Sequence, residues 1–215
     1  MKVLILLIFL VLYSTTSQAD NLLLSEGRIS GSIPVKSWKT LRDARVVKQD
    51  LDYSCGAASI ATVLTEYYQR PTTEKEVLKL LVQLTGKQGR ASFAGMASIL
   101  PKLGFRAVGL ATTWEKLVEL KIPVIIYVRQ RKEDHFTVIS GIDKQRVRLS
   151  DSSLGNRILT RGQFKEIWET RKEEGLEGKM LAILPVTQSI TIKKDGHFFI
   201  KPSFSGVPET LLTLR

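Results

Sequence analysis

The chain has 215 residues, 43% hydrophobic and 25% charged, with 32 Lys+Arg against 21 Asp+Glu for a formal charge of +11. Such a composition is globular and excludes wholesale disorder and collagen-like repetition. Its single cysteine, Cys55, excludes an internal disulfide and any multi-cysteine zinc or iron–sulfur site, and only His135 and His197 can supply an imidazole.

The N-terminus reads as an address. Met1-Lys2 is a short positive start, and residues 3–13 (VLILLIFLVLY) are an unbroken apolar run. Ser17 and Ala19 place small side chains three and one residues before a cut ahead of Asp20. Eleven helical residues reach roughly 17 Å, short of the about 30 Å of a hydrocarbon core. Residues 1–19 are therefore expected to be a cleavable signal peptide, which predicts a periplasmic or secreted, soluble protein. Loss of Lys2 with the signal lowers the charge by one unit. An exported chain that forgoes disulfides yet keeps one thiol draws attention to that thiol.

After a weakly periodic lead-in with one expected strand near Ser32 to Val35, residues 54–68 turn helical. Ala57, Ile60, Ala61, Leu64 and Tyr68 recur at three- and four-residue steps, with Ser54 as the expected N-cap. A second helix is expected from Thr73, where Thr73 and Glu76 have capping-box spacing and Val77, Leu80, Leu81 and Leu84 form the stripe. A third is expected over 92–103, its last turn disturbed by Pro101 and closed by Gly104.

From there the period changes. Strands are expected over 105–110, 124–128, 135–141, 146–150 and 180–186, with a short one at Ile158-Leu159. The run 124–128 is β-branched throughout and suits a strand buried on both faces. Short helices are expected over 114–120 and 162–170. Residues 186–215 exceed what the core needs and read as an added β-hairpin turning at Asp195-Gly196, after a main domain of residues 20–185. Helices first and strands later predict an α+β fold.

The chemistry gathers at Cys55. It opens a helix and is followed by Gly56-Ala57-Ala58-Ser59. Free N–H groups and the positive end of the macrodipole favour thiolate there, and small neighbours admit a close approach. The bland alternative is a buried inert cysteine. His135 begins a strand and can supply a base. Asp151 lies sixteen residues on, and a hairpin between the two strands returns it towards His135. Asp134 and Asp143 compete for that role, the first alternating to the other face, the second at the turn end of the hairpin. Gln49 lies six residues before Cys55, close enough for its amide and the Cys55 N–H to converge on an oxyanion. His197 reads as a surface residue.

Gln49, Cys55-Gly56-Ala57-Ala58-Ser59, His135-Phe136-Thr137-Val138-Ile139 and Asp151 together resemble the C39 peptidases, from about Ala44 to Leu184. The resemblance implies a papain-like fold with N-terminal helices packed on an antiparallel sheet. It also implies Cys55 as nucleophile, His135 as general base and acid, Asp151 as orienting carboxylate and Gln49 as oxyanion donor, with no metal or organic cofactor. C39 peptidases commonly carry proline after the Asp, where this chain has Ser152. Many are fused to a membrane exporter; this chain is similar instead to stand-alone, signal-bearing forms, some of which accompany secretion of bacterial amyloids or pili. The expected partner is then a polypeptide substrate, a secreted amyloid or pilus subunit. Competing readings are a protease-like binding or chaperone module with little turnover, and another acyl transferase or amidase using the same residues. The basic surface suits acidic partners, including anionic membrane or a secretion channel. No basic stripe interleaved with aromatics points to nucleic acid.

Overall fold

The computed structural model describes residues 21–26, 29–86, 91–130, 133–171, 173, 175–187 and 198. The expected signal segment, His197 and the C-terminal hairpin lie outside the described residues. The chain divides into two compact units, residues 1–41 and 42–215. In the first, β1 (Asn21–Glu26) pairs antiparallel with β2 (Ile29–Pro34), where the sequence suggested one strand near Ser32 to Val35. A short helix, α1 (Trp38–Asp43), follows in the chain.

The second unit is α+β, as expected. Helix α2 (Cys55–Thr62) continues into a wider π turn over Val63–Tyr67; α3 (Glu74–Thr85) and α4 (Phe93–Ile99) follow. A 3₁₀ turn (Leu100–Leu103) containing Pro101 tightens the end of α4. Then come β3 (Phe105–Thr112), α5 (Trp114–Val118), β4 (Val124–Gln130), β5 (Glu133–Ile142), β6 (Arg146–Asp151), β7 (Gly155–Thr160), α6 (Arg161–Trp168) and β8 (Gly178–Pro185). The six longer-range strands form one antiparallel sheet in the order β3-β8-β4-β5-β6-β7.

That sheet is a middle layer. Ile125, Val138, Leu181 and Ile183 join the core of α2, α3 and α4, with Ile60, Leu64, Leu81, Met96 and Ile99. Their chain neighbours Val124, Ile126, Ile139 and Ala182 face the other way, onto Trp114, Leu117, Phe164 and Trp168 of α5 and α6. Period-2 alternation thus explains the unbroken β-branched run of β4: each face has its own apolar partner.

Helix α2 departs from the expected one-sided stripe: all eight of its residues are buried. A helix wedged between a sheet and two other helices has no solvent face, and its Gly, Ala and Ser residues are small enough to fit. The π turn that follows rotates the chain so that consecutive Tyr67 and Tyr68 are both buried. The Tyr68 hydroxyl donates to the Ile183 carbonyl on β8 at 2.6 Å and so ties helix to sheet. Phe198, from the segment read as an addition, is 1% exposed and belongs to the same core, its ring 5.9 Å from that of Tyr67. Among the described residues, no helix is long and apolar enough to cross a membrane.

Candidate active site

Cys55 occupies the first turn of α2. Ser54 stands at the N-cap position, but its hydroxyl does not cap the helix; it donates to the Leu51 carbonyl at 2.7 Å and closes the preceding loop. Of the first-turn amides, that of Gly56 favours the charged sulfur. Burial pushes the Cys55 thiol up, yet the bond to His135, the Phe136 and Gly56 amides and the imidazole's charge outweigh it and hold the thiol below its ordinary value. Gly56 is required by close approach: a Cβ there would lie 2.3 Å from the Cβ of Ala91.

His135 rises from β5, where it pairs with Val128 of β4. Between β5 and β6, Val138 faces Ser150, which sets Asp151 level with Thr137 and on the same face as His135. Both Asp151 oxygens lie 3.2 Å from His135 Nε2. With Nε2 held there, Nδ1 is the nitrogen left for the thiol, and Cys55 is among the groups that favour the ring's charge. Burial of the ring opposes its charge, but the bonds and charges of Asp151 and Cys55 push its pKa up to about 9. The competitors lie elsewhere. Asp134 bonds the Tyr127 hydroxyl and Arg129 at the exposed end of the hairpin, and Asp143 accepts the Gln145 and Arg146 amides in the β5–β6 turn.

Asp151 is 0% exposed and richly held. Its Oδ1 accepts from the Ser153 amide (3.0 Å), the Ser153 hydroxyl (2.8 Å) and the Leu154 amide (2.9 Å). Arg157 on β7 reaches Oδ2 at 3.4 Å. Burial alone would raise this carboxyl; His135, the Leu154 amide and Ser153 hold it well below the usual carboxylate range. The turn carrying these donors is a three-residue hairpin loop closed by Gly155 at φ +82°, a left-handed position that suits glycine. Sequence reading missed these supports. The signal was present: an Asp followed by serines over the next two positions is the pattern of a side chain that caps its own turn.

Gln49 sits on the loop leading to Cys55. Its amide nitrogen donates to the Leu51 carbonyl at 3.0 Å, and its oxygen accepts from the Ser152 hydroxyl at 2.8 Å. Cys55 opens into a cleft of about 700 Å³ walled by Tyr53, Phe93, Tyr127 and Phe136, with Asp52 and Lys179 among its polar groups. The rings of Phe93, Phe136 and Tyr127 follow one another at 5.1 and 5.8 Å along that wall. Among the described residues, no cluster of three or more His, Cys, Asp or Glu side chains is set to hold a metal.

A buried thiol at a helix start, faced by an imidazole from an antiparallel sheet, is the arrangement of a papain-like cysteine peptidase. The chain belongs to the Peptidase C39 family, which residues 43–171 match. It is 37% identical over 139 residues to the probable functional amyloid protease FapD of Pseudomonas fluorescens, covering 62% of this chain and 61% of that one, under two thirds of the relative's length. To the protein of the same description from Pseudomonas aeruginosa it is 30% identical over 176 residues, covering 78% and 76%. In fold it is similar to a double glycine motif protease from an AMS/PCAT transporter, solved with its leader peptide (TM-score 0.53, 22% identity, 65% of this chain and 90% of that one). It is likewise similar to the peptidase domain of Streptococcus ComA, a bifunctional ABC transporter (TM-score 0.51, 20% identity, 65% and 97%).

Proposed function

We propose that this cysteine peptidase acts in the periplasm or outside the cell, after loss of residues 1–19, on a polypeptide of a bacterial secretion system, a functional-amyloid subunit. Cys55 is the nucleophile, His135 the base and acid, Asp151 the carboxylate that fixes the imidazole, and Gln49 an oxyanion donor. The observation that carries the chemical part is the bond from His135 Nε2 to Asp151 beneath a thiol held below its ordinary pKa. A lowered thiol beside a raised imidazole shifts the pair towards thiolate and imidazolium, the reactive form. The amyloid part is supported by the descriptions of the two Pseudomonas relatives.

The cycle follows. Thiolate attacks the peptide carbonyl carbon, a C–S bond forms, and the carbonyl oxygen takes the charge. The Cys55 N–H and one N–H of Gln49 receive that oxygen. The tetrahedral adduct collapses, the C–N bond breaks, and the imidazolium gives its proton to the leaving amine. Water then loses a proton to His135 and attacks the thioester carbonyl, the C–S bond breaks, and the carboxylic acid product leaves with the thiolate and imidazolium restored.

The test compares wild type and Cys55→Ala on a monomeric functional-amyloid subunit and on a fluorogenic peptide with Gly-Gly before the scissile bond. Cys55→Ala abolishes cleavage of both while keeping the wild-type circular dichroism. Full activity in that variant removes Cys55 as nucleophile. A wild type that cuts the peptide and leaves the subunit intact removes the amyloid substrate alone.

A further inference from the structure

The turn that grips Asp151 also grips Gln49. Ser152, the next residue, is 1% exposed. Its hydroxyl donates to Gln49 Oε1 at 2.8 Å, and its carbonyl accepts the Gln49 backbone N–H at 3.2 Å. One residue therefore holds the glutamine at both its root and its tip. The amide's orientation is set from the other end too. Its nitrogen lies 3.0 Å from the Leu51 carbonyl and 3.4 Å from that of Asp52, and only N–H groups can face carbonyl oxygens. The amide oxygen is thereby turned to Ser152.

We propose that Ser152 is a positioning residue for peptide hydrolysis, its hydroxyl setting the plane of the Gln49 amide so that an N–H, and never the oxygen, meets the developing oxyanion. The inference rests on reading Gln49 as the oxyanion donor. The physical need is plain: a glutamine side chain has three rotatable bonds, and an amide turned over would present a lone pair to a negative oxygen. A primary amide has two hydrogens. With one on the Leu51 carbonyl at 3.0 Å, the second, which has only the longer 3.4 Å contact with the Asp52 carbonyl, is the one to be exchanged for the substrate oxygen. Residues 151 and 152 then serve the two sides of the site, the carboxylate for the imidazole and the hydroxyl for the oxyanion.

The experiment uses the full chain as wild type, Gln49→Ala, Ser152→Ala and the double variant. It reads hydrolysis of the Gly-Gly fluorogenic peptide and alkylation of Cys55 by iodoacetamide. Gln49→Ala lowers kcat by about 10² to 10³. Ser152→Ala lowers kcat about tenfold, with KM and the pH profile unchanged and the melting temperature lowered only by what loss of one buried hydrogen bond costs. The double variant is no slower than Gln49→Ala, because the hydroxyl acts through the amide. All four alkylate at the wild-type rate, since displacement of iodide passes through no oxyanion. Wild-type kcat in Ser152→Ala overturns the proposal. So does slower alkylation, which would assign the hydroxyl to the thiol–imidazole pair, or penalties that multiply in the double variant. Wild-type kcat in Gln49→Ala removes the donor reading itself, and a slow Ser152→Ala beside it would place the serine's effect in the Asp151 turn.

Discussion

His135 links the chemistry of the site to the stability of the fold. Its folded pKa, about 9, stands above its ordinary 6.5, so its stabilising contribution is complete below 6.5 and is lost as pH rises through about 9. Asp151 works in the opposite sense: held below its ordinary 3.8, it contributes above that value and loses the contribution as pH falls into strong acid. The melting temperature should decline between pH 7 and 10, and Asp151→Asn should flatten that decline by removing the main group that raises the imidazole. An unchanged alkaline slope in the variant, followed by calorimetry, would show that His135 does not carry it. At this scale Cys55, His135 and Asp151 were legible because each sits where elementary rules put it: a helix start, a strand start, and a hairpin return. Of the supports of Asp151, the local turn donors left a signal in the serines that follow it, whereas Arg157 did not, because it reaches the carboxylate only through the pairing of β6 with β7, which short-range spacing does not encode.

The elements were legible to within a few residues where their periodicity is strong. Helix α3 begins at its expected cap, Thr73 accepting the Glu76 amide, and α4 begins where expected, with Ser92 accepting the Gly95 amide. Strand β7 was largely missed. Gly155, Asn156 and Arg157 carry no apolar signal, and what makes them a strand is a neighbour, β6. The full burial of α2 was hidden for a related reason: runs of Gly, Ala and Ser have weak hydropathy, and their use lies in what they let approach. Gly56→Ala tests that use. The new methyl must displace Ala91, beside the Gly56 amide that faces the sulfur. It should cost about 1–3 kcal/mol in chemical denaturation and lower peptide hydrolysis. A variant as stable and as active as wild type would mean that Ala91 moves freely.

Across the larger unit, the core extends further along the chain than the sequence suggested. Phe198 lies within the segment read as an appendage, yet it is buried among Tyr67 and its neighbours, with the Arg45 guanidinium 5.6 Å from its ring. Phe198→Ala should cost about 3–5 kcal/mol of unfolding free energy, as removal of a buried aromatic ring does. A loss under about 1 kcal/mol would show that the ring adds little to the core. Phe198 stands in the apolar run Phe198-Phe199-Ile200, which reads as one arm of a hairpin, and a short apolar run does not encode which distant core it joins.

Cys55, the proposed nucleophile, belongs to the helical layer, while His135 and Asp151 belong to the sheet. The contact on which the proposed turnover depends therefore bridges two slabs, held in register by interdigitated side chains and by the clasp from Tyr68 to β8. A slip of less than one ångström between those slabs would barely alter a melting curve, yet it would part sulfur from nitrogen. Mild denaturant should silence this enzyme well before it unfolds.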